Sequence, residues 1–190
     1  MSRTSRLALM FGAAVVGGVT ALVVAMSLLT DAVESDQIEQ EEKCCWKKGT
    51  TPASLSRKLG VRIPDEAADR RAAFKIGSRY DTALLSFTLP TGEVKKYVAT
   101  MKPSGEELIS NQHPEKADYR PMAPFRRLHL PEPETLTKGL RMTSLCPGSA
   151  PLGEAAQEPP GLKRLNYCIR LFAHEYAPGT TRLYIKSDIE

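Results

Sequence analysis

The sequence predicts an α+β domain in which a small antiparallel sheet carries one packed helix, preceded by a transmembrane helix. A long uncharged apolar run near the N-terminus predicts the membrane helix. Alternating apolar and polar residues occur in two pairs of segments, and one stretch between the pairs has helical periodicity. We therefore expect four strands in two hairpins joined by long proline-rich loops. A β-sandwich is excluded, because that fold requires about seven strands.

The overall composition is that of a globular protein, with 42% hydrophobic and 25% charged residues among 190. These values exclude a wholly disordered chain, a collagen and a multi-pass membrane protein. The net charge of +4 is unevenly distributed, because a basic N-terminus and an acidic segment precede a basic remainder. Three unlike parts are therefore expected in one chain.

The apolar run extends over residues 7–29 and predicts a membrane-spanning helix. As a helix these 23 residues would reach about 34 Å, enough for a hydrocarbon core of about 30 Å. Residues 1–6 contain Arg3 and Arg6, and acidic residues follow the run. The positive-inside rule therefore places residues 1–6 in the cytoplasm and the body outside. The alternative is a signal peptide cleaved near Ser27, which would make the body a secreted protein.

Small residues recur at every fourth position of this run, at Gly17, Ala21 and Ala25. Such a stripe allows two membrane helices to approach closely, so a homodimer through the membrane helix is one expectation. The other is that the stripe reflects only the ordinary abundance of Ala and Gly in membrane helices. The sequence leaves both interpretations open.

Residues 30–43 predict an acidic juxtamembrane stalk. They contain six acidic side chains and no aromatic residue, a composition typical of a solvated tether. A flexible chain of this length has a root-mean-square reach of roughly 20 Å. A helical continuation of the membrane segment is the alternative. Residues 44–190 form the predicted extracytoplasmic α+β domain.

The first elements of that domain are a short helix and a hairpin. Residues 51–60 predict the helix, because Thr51 can cap its start and Gly60 can end it. Residues 71–76 and 82–89 predict two strands joined by a short turn, and the second strand alternates apolar and polar side chains.

The main packed helix is expected from Gly92 to Met101, with Thr91 as a candidate cap. Four of its apolar residues follow the spacing of one buried stripe: Val94, Tyr97, Val98 and Met101. Residues 103–133 contain six prolines and little periodicity, so we expect a long irregular segment lying over the core. A further short helix is predicted at residues 133–138.

The chain ends in a second predicted hairpin. Apolar residues alternate from Leu165 to Ala173 and again at Leu183 and Ile185. Residues 177–180 read Ala-Pro-Gly-Thr, a sequence typical of a turn between two strands. Proline and glycine are concentrated in the preceding residues 147–161, which predict another loop.

Four cysteines follow the predicted membrane helix: Cys44, Cys45, Cys146 and Cys168. An exported body meets an oxidising environment, where an even number of cysteines predicts two disulfides. A Cys44–Cys45 bond would be strained, because adjacent Cα atoms lie about 3.8 Å apart and disulfides usually span about 4.4–6.8 Å. The other two connectivities would tie this pair to Cys146 and Cys168. A redox or soft-metal role for the adjacent pair is the weaker alternative, since the chain has no Cys-x-x-Cys motif.

The sequence predicts no catalytic, cofactor-binding or metal-ligating residue. His113, His129 and His174 are far apart in sequence, without the paired spacing of a zinc site. His174 and Glu175 resemble the start of a metalloprotease motif, but Pro178 occupies the position of its second histidine. Nucleophile-elbow, phosphate-loop and dinucleotide-binding signatures do not occur in the sequence.

Several segments of the chain have familiar packing and turn patterns. They are residues 70–75, residues 83–90 with the predicted helix after them, residues 123–125, 130–133 and 146–148, and the ending from His174 to Tyr184. Together they resemble small exported or membrane-anchored proteins of actinobacteria such as Streptomyces. The resemblance covers most of residues 55–190. None of its motifs is catalytic, and that group has no established activity, so it implies no functional residue.

The sequence thus predicts a single-pass, membrane-anchored extracytoplasmic protein that acts as a non-catalytic binding or envelope-associated module. Residues 43–190 carry 24 basic and 16 acidic side chains, which favours contact with anionic lipid or cell-wall polymers. A protein partner or a second copy through the membrane helix is also expected, whereas nucleic acid is not expected outside the cytoplasm. The alternative is an extracytoplasmic enzyme or redox protein whose site is assembled from scattered residues.

Overall fold

The computed structural model describes three ranges of the chain: residues 44–101, 108–147 and 165–190. The predicted membrane helix and stalk lie outside these ranges, as does most of the predicted loop at residues 147–161. None of the helices within them is both long and apolar enough to cross a membrane.

The described residues form an α+β domain built on a six-stranded antiparallel sheet, with strand order β1-β2-β6-β5-β4-β3. Its strands are β1 (Ala68–Lys75), β2 (Asp81–Pro90), β3 (Ile109–Ser110), β4 (Leu140–Leu145), β5 (Ile169–Ala177) and β6 (Thr180–Ile189). The α+β class and the antiparallel sheet are confirmed. The expectation of four strands is wrong, because β3 and β4 add a second edge beyond β5.

The two predicted hairpins, β1–β2 and β5–β6, are joined through their inner strands. β2 and β6 pair along their whole length, from Asp81 opposite Ile189 to Pro90 opposite Thr180. The turn between β5 and β6 lies where it was predicted, and Gly179 adopts the positive φ of 75° that favours glycine there. β5 begins at Ile169 rather than at Leu165, although Leu165 is buried.

Two helices, α1 (Pro52–Leu59) and α2 (Thr91–Thr100), cover one face of the sheet. Thr51 caps α1 as predicted, since its hydroxyl accepts a hydrogen bond from the Ser54 N–H at 3.1 Å. Leu55 and Leu59 of α1 are buried in the same core as α2, so two helices pack on the sheet instead of the predicted one.

The start of α2 differs from the prediction. The side chain of Thr91 does not cap the helix. Its hydroxyl lies 2.9 Å from the Thr181 hydroxyl, and its backbone N–H donates to the carbonyl of Gly179 at 3.0 Å. Tertiary contact with the β5–β6 turn, rather than a local cap, therefore positions this end of the helix.

The opposite face of the sheet is covered by residues 111–139, here called the covering segment. Phe125–Leu128 and Pro133–Thr135 form short 3-10 helices in it, the second in place of the helix predicted at 133–138. The Phe125 ring is fully buried and meets the Tyr184 ring edge-on, with centroids 5.1 Å apart. The expected irregular layer over the core is thus present, and it gives the sheet a second buried face.

Candidate functional site

The cysteines are paired differently from the connectivities that the sequence favoured. Cys44 is bonded to Cys45, and Cys146 is bonded to Cys168. The order of the strands gives the reason. Trp46 pairs with the outer side of β1, whereas Cys168 precedes β5, and β2 and β6 lie between those two strands. Four strand spacings amount to roughly 19 Å, far more than a disulfide spans.

Cys146 and Cys168 are neighbours for a local reason. Leu145, the last residue of β4, pairs with Ile169, the first residue of β5. The two cysteines extend this pairing by one position, and their Cα atoms are 4.0 Å apart. This disulfide therefore fastens an outer strand of the sheet to its neighbour.

The Cys44–Cys45 disulfide lies at the end of the sheet where the described domain begins. The backbone N–H of Ile76, just after β1, donates to the carbonyl of Cys45 at 2.9 Å. The Lys75 ammonium donates to the carbonyl of Met122 at 2.6 Å, which brings the covering segment to the same end. Three chain segments that are distant in sequence thus meet beside residue 44.

Exposed apolar side chains are concentrated at this end, and exposed basic side chains lie beside them. Five large hydrophobic side chains are exposed among the described residues, and three of them lie here: Ile76 (53%), Tyr80 (39%) and Met122 (70%). Exposed basic side chains accompany them, and we define the stalk-end surface as the combined set: Lys47, Lys48, Ile76, Arg79, Tyr80, Arg120 and Met122.

The turn that carries Ile76, Arg79 and Tyr80 is tightly built. A Cβ atom on Gly77 would lie 1.9 Å from the carbonyl oxygen of Tyr80, so only glycine fits at this position. The Gly77 N–H donates to the Asp81 carboxylate at 3.2 Å, and the Arg79 guanidinium lies 5.0 Å from the centre of the Tyr80 ring. The turn therefore presents an aromatic ring with a cation beside it.

Trp46 links the stalk-end surface to the covering segment. It is the only tryptophan in the chain, and it is half-buried. It packs against the core beneath the covering segment, and the Arg127 guanidinium lies 5.5 Å from the centre of its ring. Its fluorescence therefore reports on this end of the domain alone.

A second group of ionisable side chains lies between the sheet and the covering segment. Lys186 of β6 is 7% exposed, and burial and the nearby Arg170 lower the pKa of its ammonium. Burial raises the pKa of the Glu132 carboxyl, although its Oε1 atom accepts a hydrogen bond from the Arg126 N–H at 3.0 Å. Glu132 Oε2 and both carboxylate oxygens of Glu134 are buried without a hydrogen-bond partner in the described part of the chain.

A charged network fixes the covering segment further along the same face. Asp69 receives hydrogen bonds from Arg71 and from the buried Arg182, and the Arg71 bond is the main cause of its lowered pKa. Arg71 also donates to the backbone carbonyl of Leu128 at 2.6 Å and to that of His129 at 3.2 Å. The charges on this face thus hold the covering segment to the sheet.

The charged residues beneath the covering segment lead to a test by pH. Because the folded chain raises the pKa of the Glu132 carboxyl above its ordinary 4.5, the charged carboxylate opposes folding at neutral pH. This opposition weakens as the pH falls through the raised pKa, and it is lost below pH 4.5. Glu132→Gln keeps an oxygen to accept from Arg126 and should raise the melting temperature by a few degrees at pH 7. The gain should shrink toward pH 4.5 in calorimetry. Glu115→Gln, an exposed control in the same segment, should change little; equal gains for both variants would contradict the assignment.

The histidines do not converge on one site in the structure. His113 and His129 are exposed, whereas His174 is half-buried on β5, and burial lowers its pKa. Within the described ranges, no three or more His, Cys, Asp or Glu side chains are grouped as metal ligands.

Sequence reasoning missed the two groups of residues that the structure brings together. Lys186 alternates with the buried Ile185 in β6, and a charged residue at such a position gives no signal of burial. Ile76 and Met122 are separated by 46 positions in the sequence, and no local signal indicates that they lie at one end of the sheet. The one available signal for the burial of Lys186 was the irregular, proline-rich segment that the sequence predicted to lie over the core.

Comparisons with known proteins give no relative to this chain. No family model, no curated protein and no solved structure matches it.

Proposed function

We propose that the chain is a membrane-tethered extracytoplasmic module that binds the surface of an anionic membrane and does not catalyse a reaction. The observation that carries this proposal is the stalk-end surface, in which three exposed apolar side chains lie among four exposed basic ones. Residue 44, which follows the predicted stalk in the sequence, is at the same end.

The side chains of this surface match the chemistry of a membrane interface. Ile76 and Met122 can enter the boundary between headgroups and acyl chains, and Tyr80 suits the headgroup level. Lys47, Lys48, Arg79 and Arg120 can contact lipid phosphates, and each basic group near an anionic surface contributes roughly 1 kcal/mol. Binding should therefore be weak and sensitive to salt, because such attraction decays over a Debye length of about 8–10 Å.

The predicted tether makes this contact feasible. Its reach of roughly 20 Å allows the domain to rest on the membrane that anchors it. The stalk is acidic, so an anionic membrane repels it while attracting the basic surface. This difference favours an orientation in which the stalk-end surface faces the lipid.

The hydrogen-bonded charges on the covered face favour a non-catalytic role over the enzymatic alternative. Arg71 and Arg182 form hydrogen bonds with Asp69, and Arg71 also binds two backbone carbonyls of the covering segment. Glu132 accepts the N–H of Arg126 at the start of a 3-10 helix. These groups are thus engaged in holding two layers together.

Fluorescence of Trp46 tests the proposal on the full chain reconstituted in vesicles. Lipids brominated near the headgroup should quench Trp46 at least twofold more in anionic than in neutral vesicles at low salt, because charge draws this end onto the lipid. High salt should remove the difference. The Ile76→Ser/Met122→Ser variant should also lose it.

Tyr176→Ser provides the matched control. Tyr176 is 50% exposed and lies near the β5–β6 turn, at the other end of the sheet, so its replacement should leave the quenching unchanged. Equal quenching in anionic and neutral vesicles, or normal quenching in the double variant, would refute membrane contact through this surface.

A further inference from the structure

The two disulfides differ in what they do for the fold. The Cys146–Cys168 bond joins residues separated by 22 positions, whereas the Cys44–Cys45 bond joins adjacent residues and closes no loop of the chain. A disulfide stabilises a protein mainly by restricting the unfolded chain, to an extent that grows with loop length. The Cys44–Cys45 bond can therefore be opened without unfolding the domain.

The Cys44–Cys45 bond is also accessible to a reductant. Both of its residues are exposed, as Cys146 and Cys168 also are, so the difference between the two bonds lies in how far each restricts the chain. Lys47 and Lys48 follow directly in the sequence and are exposed as well, and basic residues close to a cysteine favour its thiolate form. Accessibility therefore permits thiol–disulfide exchange at Cys44–Cys45, and the basic residues beside it favour that exchange.

The backbone couples this bond to the stalk-end surface. Cys45 adopts a φ of 73°, in the left-handed region that residues with a side chain rarely occupy. Its carbonyl accepts the N–H of Ile76, and the next residue, Trp46, pairs with Lys75. Once the bond opens, Cys45 can relax to an ordinary conformation, and these neighbouring contacts must shift with it.

We propose that Cys44–Cys45 is a redox-active disulfide, opened by a dithiol reductant, whose state sets the packing of Trp46 beside the stalk-end surface. A thiolate of the reductant attacks one sulfur atom and forms a mixed disulfide, and the other cysteine leaves as a thiolate that takes up a proton. The second thiol of the reductant then attacks the mixed disulfide and releases the remaining cysteine. In total the cysteine pair gains two electrons and two protons, and the dithiol becomes a disulfide.

A redox titration of the full chain in detergent tests this proposal without any membrane. The chain is equilibrated with mixtures of reduced and oxidised dithiothreitol, and free thiols are then alkylated and assigned by mass spectrometry. Cys44 and Cys45 should become labelled at a ratio of reduced to oxidised reagent at least tenfold lower than Cys146 and Cys168 require. Reduction should also increase the emission of Trp46, because a disulfide quenches a neighbouring indole, and should at least double its quenching by acrylamide.

Two double variants serve as controls in the same titration. Cys146→Ser/Cys168→Ser should keep the fluorescence response, whereas Cys44→Ser/Cys45→Ser should lose it and resemble the reduced chain. The proposal would be overturned by free Cys44 and Cys45 thiols in the oxidised protein or by reduction of all four cysteines at the same reagent ratio. It would also be overturned if the emission of Trp46 did not change together with the labelling of Cys44 and Cys45. Because no lipid is present, these outcomes are independent of membrane binding.

Discussion

Replacing Phe125 with alanine is expected to lower the free energy of unfolding by about 3–5 kcal/mol. The side chain is fully buried, packs edge-on against Tyr184 and lies in the core formed between the sheet and the covering segment. Its loss would leave a cavity that the proline-rich backbone around it cannot readily fill. Urea denaturation measures the change directly.

Met122 offers the control for this experiment, because it lies in the same segment but is 70% exposed. Met122→Ala should change the free energy of unfolding by less than about 0.5 kcal/mol. Phe125→Leu, which keeps part of the apolar volume, should lose less than Phe125→Ala. If Phe125→Ala and Met122→Ala cost equally little, the covering segment would not be packed on the sheet.

The sequence predicted those parts of the fold whose signals are local. Thr51 and Gly60 mark the ends of α1, and Pro178 with Gly179 marks the last turn. These features depend on backbone conformations that only a few residue types favour, so they can be read without tertiary information.

Strand β4, which the sequence did not predict, shows the limit of such local signals. Its sequence, LRMTSL, has apolar residues at only three of six positions, and it directly follows a long proline-rich region. Pairing with β5 from Leu140 to Leu145 makes it a strand. Tertiary pairing of this kind outweighs a weak intrinsic preference.

The buried residues of the second face were harder to predict, because their burial depends on what covers that face. Tyr184 and Lys186 alternate with the buried Leu183 and Ile185, the pattern of a strand with one face in solvent. In the structure both faces are covered, and all four side chains are buried. These residues of β6 do alternate between the two faces of the sheet, but both faces are buried against a core and neither faces solvent.

The disulfide pairing was missed for a related reason, since it depends on which strands lie side by side in the sheet. Removing the Cys146–Cys168 bond with serines should lower the free energy of unfolding by about 3 kcal/mol, the value expected for a loop that closes over 22 positions. The bond also fastens β4 to β5 near the edge of the sheet, where the two-residue β3 is the one strand beyond β4 in the described part of the chain. Amide exchange in β4 should therefore accelerate in this variant.

The Cys44→Ser/Cys45→Ser variant makes the comparison decisive. That bond closes no loop, so its removal should cost little stability in the same urea titration. Had the sheet allowed the favoured connectivities, each bond would have closed a loop of about 100 residues, and either double variant would have removed both bonds at a similar cost. Equal losses for the two variants would thus restore those connectivities. The observed sheet holds the two cysteine pairs beside different strands, so it predicts a large loss in the free energy of unfolding for Cys146→Ser/Cys168→Ser alone.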